Sequence, residues 1–174
     1  MVKIYVISDT HFGHENSLKW TDSEGNKLRP FNTIDDLNST IINNWNNTVT
    51  DQDHVYHLGD VVINKKYLYL VKQLKGHKRL VRGNHDIEST NTFIDVGFKE
   101  IYGVRVFTNL KCILSHFPIH PECLAEGWIN VSGHLHSNCL SDRRYINVSV
   151  EQVNYTPVLL EEILATRRKE LSNT

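Results

Sequence analysis

The chain has 174 residues, 40% of them apolar and 22% charged, enough for a hydrophobic core and unlike a disordered segment. Nineteen lysines and arginines face twenty aspartates and glutamates, so no positive field exists for gripping a nucleic-acid backbone along its length. The apolar stretches are only of strand length, too short to span a membrane, and the run before Ser8 is too short for a signal peptide. Cys112, Cys123 and Cys139 form no CxxC pair, which argues against a disulfide framework or a cysteine zinc site; a cytoplasmic protein is expected.

Residues 3–8 predict a buried strand. Residues 12–32 read as irregular, with a turn at Ser23-Glu24-Gly25-Asn26 that would close a small hairpin. Thr33 and Asp36 form a variant capping box, and Ile34, Leu37, Ile41 and Trp45 give one buried face to a helix running to about residue 48. A strand over 54–58, a helix over 65–74 and a strand over 78–82 follow. Further strands are expected at 99–102, 104–107, 111–114, 129–131 and 145–148. Pro157 should open a helix over 158–169. Helices and strands alternate early and strands dominate later, so the class is an α/β layered sandwich, with one domain over 1–174.

Five strand-like runs end in the same chemistry. They deliver Asp9-Thr10-His11, Gly59-Asp60, Gly83-Asn84-His85-Asp86, His116 and Gly133-His134-Leu135-His136. Ligands bind at the carboxyl edge of such sheets, and neighbouring strands running one way would gather these groups in one crevice. Imidazole with carboxylate suits Mn, Fe, Ni, Co or Zn better than Ca or Mg. Residues two apart on an extended segment point to one side, so Asp9 with His11, and His134 with His136, can each reach one ion. Asp9, His11, Asp60, Asn84, His116, His134 and His136 are too many donors for one four-coordinate ion and suit two ions sharing a bridging carboxylate. The glycines at 59, 83 and 133 would let the backbone turn sharply and approach closely.

In this order the motifs resemble the calcineurin-like metallophosphoesterases. His11 through Asn16, Arg29-Pro30-Phe31, and Asn147 through Val158 are similar to a compact branch found in bacteria and phages. The resemblance implies a four-layer αββα sandwich with two mixed β-sheets. It places Asp9, His11, Asp60 and His136 on one divalent ion and Asp60, Asn84, His116 and His134 on another, with Asp60 as the bridge and Mn²⁺ ahead of Fe, Ni, Co or Zn. His85 resembles the family's leaving-group acid. Asp86 either orients His85 or caps the following turn.

The protein phosphatases of that superfamily extend the second motif to Gly-Asp-x-x-Asp-Arg, where this chain reads Gly59-Asp60-Val61-Val62-Ile63-Asn64. A phosphate-gripping arginine is therefore missing, and Arg29, Arg82, His14 and Asn16 are the candidates to replace it. His54, His57, His77 and His120 read as ordinary hydrogen-bonded histidines. Trp20 could stack on a base or pack in the core. The expected reaction is hydrolysis of a phosphomonoester or phosphodiester in a nucleotide-like small molecule. The alternatives are a nuclease acting on nucleic acid and a metal-binding scaffold without catalysis.

Overall fold

A computed structural model describes residues 2–173. Four parallel strands, β1 (Ile4–Ile7), β2 (His54–His57), β3 (His77–Val81) and β4 (Phe98–Tyr102), form most of the first sheet. β9 (Val158–Leu159) pairs antiparallel with β1, giving the order β4-β3-β2-β1-β9. The central strands are apolar on both faces, as a sheet covered on both sides requires. Tyr5, Ile7, Val55 and Leu80 join one buried cluster, whereas Val6, Tyr56 and Val81 join another.

The first cluster receives α1 (Ile34–Thr48) through Leu37, Ile41 and Trp45. Its start is fixed as expected: Thr33 Oγ1 accepts from Asp36 N at 3.1 Å, and Asp36 Oδ2 accepts from Thr33 N at 3.2 Å. The helix expected over 65–74 is present as a 3-10 helix, Lys65–Gln73. It packs on the first cluster through buried Leu68, Leu70 and Val71.

The second sheet contains β5 (Val104–Phe107), β6 (Cys112–Ser115), β7 (Ile129–Ser132) and β8 (Tyr145–Asn147), in that order, with β5 antiparallel. Its Cys112, Leu114, Ile129, Val131 and Ile146 pack against the Val6, Tyr56 and Val81 face of the first sheet. α3 (Leu160–Ser172) buries Leu160 and Leu164 in the same cluster, and Arg167 Nη1 donates to Tyr145 O at 2.6 Å. The fold is thus α/β with two mixed sheets and packed helices, as expected. Among the described residues, no helix is long and apolar enough to cross a membrane.

Two departures are local. The last helix begins at Leu160 because Val158 and Leu159 first extend the free edge of β1. The short helix α2 (Thr90–Asp95) was not anticipated; Ser89 Oγ caps it by accepting from Thr92 N at 3.2 Å, and Phe93 anchors it in the core.

The sheets meet at one end. Ile7 aligns with His57, and His57 with Leu80, so β1, β2 and β3 release their following loops at one edge. Ser8 bridges to Ser149 just beyond β8: Ser8 N donates to Val148 O at 2.9 Å and Val150 N to Ser8 O at 3.0 Å. The loops of both sheets therefore converge on a single crevice.

Candidate metal centre

Five residues in these loops hold left-handed backbone: Asp9 (φ 59°), His11 (46°), Asp60 (57°), His134 (68°) and His136 (50°). Among the described non-glycine residues only Lys111, Asn154 and Tyr155 do the same, so strained backbone concentrates here. Close packing maintains it. A Cβ on Gly83 would lie 2.2 Å from Asp60 Oδ1, and one on Gly133 would lie 2.3 Å from Asp9 Oδ2.

Two donor groups result. Asp9, His11 and His136 form one; Asp60, His116 and His134 form the other; within each, the ligand atoms lie within 4.8 Å of one another. Asp9 Oδ2 is anchored by His134 N and Ser149 Oγ, each at 2.9 Å. Its Oδ1 is buried with no hydrogen-bond partner, as are both ring nitrogens of His11. His11 Nε2 stands 3.8 Å from Asp9 Oδ1 and 3.7 Å from Asp60 Oδ2. These gaps are too long for hydrogen bonds, and buried polar atoms left this way need a partner of another kind. Donors of this type, spacing and burial fit a divalent cation.

Asp60 faces both groups. Its Oδ2 is 3.7 Å from His11 Nε2 and 3.5 Å from His116 Nε2, while its Oδ1 accepts from His85 N at 2.9 Å. His116 Nδ1 donates to Leu58 O at 2.8 Å, which leaves its Nε2 with a lone pair; Asn84 Oδ1, another acceptor, lies 3.0 Å from that atom. All seven residues expected as ligands therefore meet in the crevice. Burial first, and the Arg29 guanidinium second, hold the His11 imidazole well below its ordinary pKa, and burial lowers that of His134. Both rings are kept neutral, the form that donates to a metal.

The remaining candidates divide. His85 is half-exposed at the mouth, with Nε2 3.9 Å from Asp60 Oδ2. His14 lies beside it, its ring 5.7 Å from that of His11, and burial lowers its pKa. Asn16 is exposed and accepts from Lys19 Nζ at 3.1 Å.

Arg29, expected at the phosphate, is fully buried instead. Its Nη2 donates to Asp9 O at 2.6 Å, Nη1 to Thr10 O at 3.2 Å and Nε to Glu151 Oε1 at 2.8 Å, so it braces the loop that carries Asp9 and His11. Arg82 is likewise occupied: Nη1 donates to Asp86 O at 2.5 Å and to Glu88 O at 2.7 Å, holding the loop around His85. The hydrogen bonds of the Asp86 carboxylate go to backbone amides rather than to the His85 ring. This buried carboxylate accepts from the backbone N of Asp60 (2.8 Å), Val61 (3.0 Å) and Gly83 (2.8 Å), locking the loops after β2 and β3 together. His57, read as structural, is buried between Gly59 N and Thr10 Oγ1.

One functional residue escaped the sequence reading. Glu151 Oε1 accepts from His136 Nδ1 at 3.1 Å, which directs the Nε2 lone pair of that ring towards Asp9. Burial pushes the Glu151 carboxyl up, but the His136 hydrogen bond and the Arg29 charge outweigh it and hold the group below the usual carboxylate range. The available signal was a lone acid just after a strand, in the Asn147–Pro157 stretch already noted.

Known proteins are similar to this chain in sequence or in fold. The uncharacterised protein MJ1445 of Methanocaldococcus jannaschii is 40% identical over 176 residues, covering 94% of this chain and 90% of that one. The crystal structure of AQ665, a protein of unknown function from Aquifex aeolicus, superposes with a TM-score of 0.69 at 28% identity, covering 94% of this chain and 98% of that one. The Pseudomonas putida nuclease MPE shares the fold more distantly, with a TM-score of 0.50 at 17% identity over 76% of this chain and 61% of that one. The model of the calcineurin-like phosphoesterase family matches residues 2–169, and the chain belongs to that family.

Proposed function

We propose that the chain hydrolyses a phosphomonoester or phosphodiester of a nucleotide-like small molecule, using two divalent cations of which Mn²⁺ is the first choice. One observation carries the reading: Asp60 Oδ2 lies between the two donor groups, 3.7 Å from His11 Nε2 and 3.5 Å from His116 Nε2. In this reading Asp9, His11, Asp60 and His136 hold one cation, and Asp60, Asn84, His116 and His134 hold the other. Such a pair of cations lowers the pKa of a water and offsets the charge of a phosphate.

The chain's own residues do the rest. His85, half-exposed and tethered through its backbone N to Asp60 Oδ1, gives a proton to the leaving oxygen. His14, at the same mouth, meets the phosphate, with Asn16 at the outer rim. Arg29, Asp86 and Arg82 hold the loops in register.

The test is metal analysis of the purified protein together with turnover of p-nitrophenyl phosphate and bis-p-nitrophenyl phosphate, with Mn²⁺ and with EDTA. About two metals per chain and chelator-sensitive hydrolysis are expected. Metal bound without turnover of either ester, or of any nucleotide, would leave a binding scaffold. Turnover of oligonucleotides alone would make it a nuclease.

A further inference from the structure

We infer that the depression between the Trp20–Leu28 arm and the loop carrying His134 and His136 binds the base of a nucleoside phosphate, with Trp20 as its platform. The inference deepens the proposed hydrolase function and rests on it for the position of the phosphate. The depression is lined by Trp20, Thr21, Leu28, His134, His136 and Asn138, so it opens directly from the donor groups.

The arm is built to hold one shape. Leu28 N donates to Trp20 O at 2.9 Å, Thr21 bridges Lys27, and Asp22 Oδ1 accepts from Glu24 N and Asn26 N, each at 2.9 Å. Tyr155 Oη ties the far end down by donating to Leu28 O at 2.9 Å. A preorganised aromatic wall loses little freedom when a flat ligand settles on it.

The Trp20 indole is only half-buried, unlike Trp45 in the core. Its ring centroid lies 4.8 Å from that of His136, 5.3 Å from His14 and 5.4 Å from His11, with the Arg29 guanidinium 5.1 Å away over the ring. A flat group lying against it is therefore within about one sugar's length of a phosphate at His11 and His136. The Leu28 side chain extends the apolar surface. Thr21 and Asn138 line the same depression, and both residue types carry donors and acceptors suited to a base edge. A purely structural Trp would serve every ester alike; a platform serves only esters that carry a ring.

The experiment compares kcat/KM for adenosine 5′-monophosphate and for ribose 5-phosphate, in the Mn²⁺-loaded protein and in Trp20→Ala. Stacking of a base on an aromatic side chain predicts that the ratio of the two falls by about ten-fold or more in the variant, whatever happens to the absolute rates. An equal loss on both substrates, or an unchanged ratio, overturns the inference. Quenching of tryptophan fluorescence by adenosine 5′-monophosphate, abolished in Trp20→Phe, is the second expected result, and quenching that persists in that variant overturns it too. Should the wild-type protein hydrolyse neither substrate, only the phosphomonoester half of the hydrolase reading fails, while the quenching experiment still decides whether the depression takes a base.

Discussion

Glu151 and His136 are joined by a 3.1 Å hydrogen bond from Nδ1 to Oε1, and the same oxygen accepts from Arg29 at 2.8 Å. One buried carboxylate thus sets the tautomer of His136 and neutralises the arginine that pins Asp9. Glu151→Gln keeps the shape but removes the charge. Mn²⁺ affinity at the Asp9 group should fall about 10- to 100-fold, with the Asp60 group less affected. Calorimetric titration should show one weakened step. Leaving Arg29 unpaired should also cost on the order of 3 kcal/mol in urea denaturation.

Asp60→Asn should weaken both cations together, because one oxygen faces both groups. Elemental analysis after dialysis checks this. Retention of about two Mn²⁺ per chain would mean that no bridge exists at Asp60.

His85→Ala should retain its metals and lose about 10²- to 10⁴-fold in kcat, most for esters with poor leaving groups. A series of aryl phosphates of graded acidity reads this directly, and a uniform loss along the series would rule out proton donation.

Gly83→Ala places a Cβ 2.2 Å from Asp60 Oδ1 and 2.6 Å from Asp60 N. Backbone must move, and Asp60 with it. Stability should drop by about 1–3 kcal/mol, as overpacking does. Metal content should fall in parallel, measured on the same preparation.

Acid should destabilise the metal-stripped protein well before its carboxylates titrate. Burial, then the nearby His116, lowers His57 to about 3. The unfolded chain therefore binds a proton that the folded one refuses between pH 6.5 and pH 3, and stability falls as pH falls through that window. His57 alone accounts for a loss on the order of 3 kcal/mol by pH 4. Urea midpoints in EDTA at successive pH values measure it, and a flat profile between pH 7 and pH 5 would contradict it.

The seven donor residues were legible because each follows an apolar run and is a type that chemistry restricts. The capping box at Thr33 and Asp36 was legible because both partners lie within one turn. The arginines were not. Whether Arg29 meets a phosphate or Glu151 depends on a residue 122 positions away in the chain. Asp86 posed a similar problem: its partners at Asp60 and Val61 come from a different strand. The 3-10 form of Lys65–Gln73 was hidden because the run Tyr67 to Val71 marks an element without telling three residues per turn from 3.6. β9 was hidden because two residues give no period to read, and the free edge of β1 decides their state.

The left-handed backbone at Asp9, His11, Asp60, His134 and His136 bears on any effort to transplant this centre. At these positions the turn, not the strand, aims the side chain. Grafting the same seven residues onto the ends of another protein's strands would reproduce the spelling and scatter the donors. The portable unit is the loop, with its glycine and the acid that clamps its amides.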